Sequence, residues 1–600
     1  MKKGTKWIVI CIVLCFAMVL PALASCTKKN KETLVTIASD IHVVANSSMT
    51  AEYYARLENK EKMRHVSEAI FHTFCDEVTD GKTKYLLITG DLTEFGDEES
   101  AIAVANILHE VEDKKLKAFV INGNHDVRTS EASEKMTQAR FKEIFRDFGY
   151  GEALETYEGT LSYVADLDDE HRLIAVDDIA YYADDGRKKE MLDEKHRLWI
   201  YDKIDECNAA GKTPVVIAHI PFMGHFPKLY EVIAGEDSLQ FNKLIDYFAR
   251  NGVQYSFVGH MHVNDVKEKV VATEEGNLVY NEVMTGCLPM YGTTYREMVW
   301  GKEDTTIRTV RMEEVNDKYL PPFTTEEEEN ALEDNMSQHA RAYLYNYIVA
   351  YITSALAEGG MADIHVEGEN AEVIDAMIDV IRTDVLQKIW ATPYTKKEET
   401  SGGTSIERIL ESYGLPMFAT KYNTLADFAI DCVCVLVDGN ENFDSAEFRG
   451  TVKNVVFEVF YFLQQAEGKL NVLAEQAGMT ARLSLNTEKL YKEGVLECYE
   501  SGLVPFFVEV LQLTGYGFLQ NDLVRGALNS LKADLSIAKN EIVLESIDAV
   551  TDDAVKGFDT YVSDKEIALA DLLEKGFIEQ YISDFVTDTP PNDWEIVIHK

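Results

Sequence analysis

"KAFVINGNHDVRTS", Lys117 to Ser130, is the stretch that decides the fold. Ala118, Phe119, Val120 and Ile121 run into Asn122 and Gly123, and then Asn124, His125 and Asp126 follow with no spacer. A turn accounts for Asn-Gly, or for Asp alone. It does not account for an imidazole set between an amide and a carboxylate. A buried strand that ends on three such groups needs another explanation.

Four other apolar runs have the same form: "LVTIAS", "KYLLITG", "PVVIAH" and "QYSFVGH". They are continuous rather than alternating, so they read as strands buried on both faces. Each ends on residues that can bind a metal: Asp40 and His42 in "SDIH", Asp91 in "TGDL", His219 in "AHIP", and His260 with His262 in "GHMH". With Asn124 and His125, five strand ends carry such groups, as expected for binding at the carboxyl edge of an α/β sheet. Gly90, Gly123 and Gly259 are placed where a strand must turn sharply to aim a side chain. Taken singly, Asp-Ile-His is commonplace, Gly-Asp is more often a turn, and two alternating histidines on one strand face can simply be satisfied polar groups. Gly-Asn-His-Asp is rarer, at about one occurrence per hundred thousand positions from average composition. The ordered set is not an accident of composition.

The rest of the chain bounds the reading. Its 600 residues are 46% hydrophobic, too many for one ordinary domain. The net charge of -45, from 103 acidic and 58 basic side chains, repels phosphate backbones and argues against nucleic acid as a partner. Lys2, Lys3 and Lys6 precede "WIVICIVLCFAMVL", then Pro21 and small residues, which is the layout of a secretory signal. Leu23-Ala24-Ser25-Cys26 resembles the lipobox of bacterial lipoproteins. By that resemblance residues 1–26 are a signal, and lipidated Cys26 anchors an extracytoplasmic body to the bacterial membrane. A plain signal peptide and an uncleaved anchor are the alternatives. Six further cysteines are scattered, and none is paired as zinc ligands are; Cys432 and Cys434 read as packing residues in an apolar segment.

Between the strands lie amphipathic helices, one with Val104, Ile107, Leu108 and Val111, another with Leu244, Ile245 and Phe248 that stops at Asn251-Gly252. Later runs, "LSYVADL", "RLIAVDD", "NLVYNEVMTG" and "TTIRTVRM", read as more strands. Near Pro321-Pro322 the character changes. Thr325 and Glu328 fit a capping box, and Glu326 to Glu329 suit the positive end of a helix. Helical periodicity then dominates, with "TPYTKKEETSGGTS" read as a mobile loop. The expected domains are 27–320, α/β, and 321–600, mostly helical.

The ordered blocks Asp-x-His, Gly-Asp, Gly-Asn-His-Asp, a later His and Gly-His-x-His resemble the calcineurin-like metallophosphoesterase superfamily from about Leu34 to Val315. The resemblance implies a four-layer αββα sandwich and two divalent ions (Mn, Fe or Zn) that share a hydroxide. It assigns one ion to Asp40, His42 and His262, the other to Asn124, His219 and His260, and makes Asp91 the bridge. His125 would stand beside the reacting phosphate, with Asp126 orienting its ring. Two cations about 3.5–4 Å apart can activate water and clamp an in-line displacement. Imidazole and carboxylate suit these metals, and a thiolate site is not expected. Counting the ions, Asp40, Asp91 and hydroxide leaves about one net positive charge, which matches a phosphodiester better than a monoester.

His225 competes with His219, but His219 directly follows a strand; His225 is then a pocket-edge or exposed residue. His65, His72 and His109 read as surface positions, and Asp177 and Asp178 as structural. "GDLTEFGDEES" is similar to the cyclic-nucleotide and glycerophosphodiester phosphodiesterase branch, although Glu94 stands where that branch often has Asp. The first Arg after Asp91 is Arg128, unlike the protein Ser/Thr phosphatases. The expected activity is hydrolysis of small phosphodiesters. A phosphomonoesterase acting on nucleotides or sugar phosphates is the alternative, as is a non-catalytic surface-binding lipoprotein. The helical part is a lid, a surface for self-association, or a docking module.

Overall fold

The computed structural model describes residues 32–510 and 593–599, apart from 182–191, 226–237, 358–369, 440–444, 494–500 and gaps of one or two residues. The signal and Cys26 lie outside the described residues. Among the described residues no helix is long and apolar enough to cross a membrane.

Among the described residues thirteen strands form two sheets. The first contains β1 (Thr33–Ala38), β2 (Tyr85–Thr89), β3 (Lys117–Ile121), β11 (Thr294–Trp300), β12 (Asp304–Arg311) and β13 (Glu595–His599), in the order β13-β12-β11-β1-β2-β3. The second contains β4 (Glu155–Thr156), β5 (Tyr163–Asp166), β6 (His171–Ala175), β7 (Thr213–Ile217), β8 (Tyr255–Val258), β9 (Asp265–Thr273) and β10 (Gly276–Met284), in the order β4-β5-β6-β7-β8-β10-β9. Strands β1, β2 and β3 are parallel, as are β6, β7 and β8. Their carboxyl ends therefore lie on one edge of each sheet.

The continuous apolar runs are explained by burial on both faces. Leu173, Val215, Ile217 and Phe257 face the first sheet and share a core with it. Their neighbours Ile174, Val216 and Val258 face the other way, onto Ile200, Ile204, Leu244, Ile245 and Phe248. Those residues lie on two helices, Glu194–Ala209 and Ser238–Arg250. The helices Ser67–Asp80 and Glu98–Asp113 cover the first sheet, with Phe71, Phe74, Val104 and Leu108 buried. The result is the αββα sandwich expected from the sequence.

The helical part begins with α1 (Glu326–Leu356) and includes α2 (Leu425–Asp438) and α3 (Ala446–Gln476). Only half of the expected capping box forms: Thr325 Oγ1 accepts from the Glu328 amide at 3.2 Å, while the Glu328 carboxylate turns elsewhere. The stretch read as a mobile loop is pinned near its start. Tyr394 is buried, and its amide donates to Asn423 O at 2.7 Å.

Four of these strands were not legible, the two-residue β4 among them. β9 carries Lys267, Glu268 and Lys269 on an outer position, and β11 is interrupted by Arg296 and Glu297. β13 brings the far end of the chain back to β12, pairing Asp304 with His599 and Arg308 with Glu595. Cys75, Cys207, Cys287, Cys432 and Cys434 are all free thiols.

Candidate metal centre

All seven expected ligands lie on loops that leave β1, β2, β3, β7 and β8, and the structure brings them together. His42 Nε2 lies 3.0 Å from His262 Nε2 and 3.8 Å from Asp40 Oδ1, and His262 Nε2 lies 3.4 Å from the same oxygen. Asn124 Oδ1 lies 3.1 Å from His219 Nε2 and 2.9 Å from His260 Nδ1. Asp91 Oδ2 stands between the two groups, 3.7 Å from His42 Nε2 and 3.3 Å from His219 Nε2.

The backbone is strained to achieve this. Asp40, His42, Asp91, His260 and His262 all have positive φ, between 44° and 72°. For non-glycine residues that conformation costs about 1–2 kcal/mol each. It persists where surrounding contacts over-determine it. The Asp40 amide donates to Gly90 O at 3.1 Å and the His42 amide to Asp91 O at 2.9 Å, while the His260 amide donates to Asp40 Oδ2 at 3.0 Å. The glycines act chiefly through close approach. A Cβ at Gly123 would collide with Asp91, and one at Gly259 with Ser39 and Asp40. Gly90 combines both needs, with φ of 96° and the His219 ring against it.

The second nitrogen of two of these rings is already committed. His219 Nδ1 donates to Thr89 O at 2.9 Å, and His42 Nδ1 faces Glu94 Oε2 at 2.9 Å. Each ring is thereby oriented with Nε2 toward the cluster, the arrangement a metal-binding imidazole needs. Burial holds His42 and His260 down to about 4, so both are neutral and have a lone pair to offer. Burial works to raise Asp40 and Asp91, yet the neighbouring histidines hold both carboxyls well below their usual range. Burial also disfavours charge on His219, but Asp91 and Asp40 overcome it and push its pKa up to about 10. The carboxylates thus demand positive charge at this point. A cation meets that demand and displaces the proton, so the residues fit a metal centre.

His125 lies beside the cluster, with a ring nitrogen within 4.8 Å of ligand atoms of His42 and Glu94. Its amide donates to Asp91 Oδ1 at 2.7 Å, its Nδ1 donates to Glu94 O at 2.6 Å, and its ring meets His42 edge-on at 4.8 Å. The ring support expected from Asp126 is therefore absent. The Asp126 carboxylate instead accepts from the amides of Leu92, Thr93 and Gly123 at 2.8–3.1 Å, and ties the β2 and β3 loops together. Burial and nearby Asp91 push its pKa up to about 7. It positions backbone, because a carboxylate next in sequence to His125 points into its own turn.

Other side chains sit elsewhere than the sequence suggests, or carry no sequence signal. His225 is not at the pocket edge; it is buried between Asp265 Oδ2 at 2.6 Å and Glu282 Oε1 at 3.2 Å. His65 is buried rather than on the surface. Asp178 is structural, as expected: it caps the loop after β7, accepting from the Ile220 amide at 2.8 Å. Glu94 is joined by Lys62 Nζ at 2.9 Å and Arg64 Nε at 3.1 Å. Glu94 was visible as an acid three positions after Asp91, but Lys62 comes from an irregular segment with no signal. A thiol does stand close: Cys287 lies within 4.8 Å of ring nitrogens of His42 and His262.

The family model for calcineurin-like phosphoesterase matches residues 33–264. That span is a calcineurin-like metallophosphoesterase domain, and its class of activity is metal-dependent hydrolysis of phosphoester bonds. Solved structures similar to part of the chain include a dimetal phosphatase from Danio rerio. The match has 8% identity and a TM-score of 0.31, and covers 46% of this chain and 97% of that one. A purple acid phosphatase from yellow lupin (Lupinus luteus) seeds matches at 10% identity and a TM-score of 0.31, covering 47% of this chain and 52% of that one. At such identities nothing about substrate follows. No curated protein matches the chain.

Proposed function

We propose that the protein hydrolyses small phosphodiesters at a dinuclear centre. Asp40, His42 and His262 would hold one divalent ion and Asn124, His219 and His260 the other, with Asp91 placed between the two groups. The observation that carries this is the position of the Asp91 carboxylate, within 3.7 Å of a ring nitrogen from each group. When bound, two ions of the Mn, Fe or Zn class supply Lewis acidity and lower the pKa of water.

The chain's own residues orient the substrate and manage its protons. With Nδ1 of His125 committed to Glu94 O, Nε2 is the ring atom available to a phosphoryl or leaving oxygen. Lys135 Nζ donates to Asn124 O at 2.7 Å and fixes the turn that presents both residues. The group behind His42 adds no net charge, because Glu61 and Glu94 offset Lys62 and Arg64. The core keeps about one positive charge, which favours a monoanionic diester.

The test is turnover of matched aryl mono- and diesters by metal-loaded protein beginning at Thr27. Higher turnover on the diester is expected; higher turnover on the monoester makes the protein a phosphomonoesterase. We propose further that Cys26, if lipidated, tethers this domain outside the cytoplasmic membrane, a reading supported by the N-terminal sequence.

A further inference from the structure

Away from the catalytic cluster, a second group of imidazoles and carboxylates lies where the phosphoesterase domain meets α1. Burial of His65 is complete, and its Nε2 lies 2.6 Å from Glu328 Oε1. His339 Nε2 lies 3.8 Å from the same oxygen, beyond hydrogen-bond reach. Glu58 completes the group, since ligand atoms of Glu58, His65 and Glu328 all lie within 4.8 Å of one another. Two buried ring nitrogens, His65 Nδ1 and His339 Nε2, have no hydrogen-bond partner among the described residues.

The chain departs from regular structure to assemble this group. On an unbroken helix, residues 328 and 339 would be about 16 Å apart along the axis. Asn335 breaks α1 with φ of -164° and ψ of 83°, and its Oδ1 caps the second part by accepting from the Gln338 amide at 2.8 Å. The break folds His339 back toward Glu328. Glu328 has also given up the reciprocal capping bond open to it. Its Oε2 accepts instead from Tyr54 OH at 2.7 Å, which orients the carboxylate as an outer partner orients a metal ligand.

We propose that Glu58, His65, Glu328 and His339 form a further cation site, sharing no residue with the catalytic centre, that takes a zinc-class divalent ion and pins α1 to the phosphoesterase domain. Two imidazoles and two carboxylates are ligands that zinc accepts in tetrahedral sites. Two carboxylate charges balance one divalent ion, so the junction closes without buried net charge. The competing arrangement is a direct hydrogen bond between His65 and Glu328, which would leave His339 with no role.

The experiment uses protein from Thr27 onward, stripped with chelator, reloaded with zinc and freed of excess metal. Bound zinc is counted in the wild type, in His339→Ala and in Glu328→Gln, alongside turnover of an aryl phosphodiester. Each variant is expected to hold one equivalent less than the wild type with unchanged turnover. With cobalt in place of zinc, the same equivalent should remove part of the visible absorption of tetrahedral cobalt. Equal metal content in wild type and His339→Ala overturns the inference. So does a loss of metal that takes turnover with it, because the lost ion is then a catalytic one. Failure of the dinuclear reading looks different: the wild type would keep only the ion that depends on His339.

Discussion

In one group of the proposed metal centre, His42 leans on a carboxylate; in the other, His219 leans on a backbone carbonyl. The same contrast holds among the proposed ligands. The first group brings the charged Asp40, the second the neutral Asn124. A carboxylate behind an imidazole increases its basicity and tightens its metal, so the first group should hold its ion more firmly and the second should exchange more readily. Lys62 reinforces the difference by keeping Glu94 charged: burial works to raise that carboxyl, yet His42, Lys62 and Arg64 bring it down to about 2.

The largest effect should come from a residue that belongs to neither group. His125→Ala is expected to leave both ions bound and to lower kcat by about 10²–10⁴-fold, the range for losing a general acid or its equivalent. Metal content and single-turnover rates measured together check this, and an emptied centre would mean that His125 is a ligand. Glu94→Gln should come next. It is expected to weaken binding at the first group by about 10–100-fold and to leave the second nearly unchanged. Stepwise metal titration reads both affinities, and equal weakening of the two would erase the contrast.

The smallest effect concerns the loop after His219. Glu282 accepts from the amides of Phe222 and Met223 at 3.0 and 2.7 Å, and it is held by His225. Burial disfavours charge on His225, but Asp265 and Glu282 outweigh it and raise its pKa to about 9. A histidine raised on folding stabilises fully below its unfolded value near 6.5 and loses that contribution as pH rises through the folded value. Melting temperature should therefore fall between about pH 6.5 and pH 9, and His225→Gln should flatten the fall. A wild-type profile as flat as the variant's would show that the pair does not stabilise the loop.

The strands that carry the centre were legible because burial on both faces demands continuous apolar runs. β9 was not, since an outer strand tolerates Lys267, Glu268 and Lys269, whose pattern resembles a loop. Asp126 shows the limit of reasoning from adjacency. Next to His125 in sequence, it was expected to support that ring, but the turn directs it to three backbone amides. His65 shows the limit at long range. Its segment looks like an exposed helix until α1, more than two hundred and fifty residues further on, covers it. Contacts of that separation leave no local trace in periodicity.

The pairing of β13 with β12 has a consequence for biosynthesis. The partner that shields the outer edge of the first sheet is made nearly three hundred residues after that edge. During translation β12 must wait with its amides and carbonyls unpaired, a template for another chain to join. Ribosomes stalled or terminated before Asp593 would release polypeptides prone to edge-to-edge association, even if every catalytic residue had already found its place.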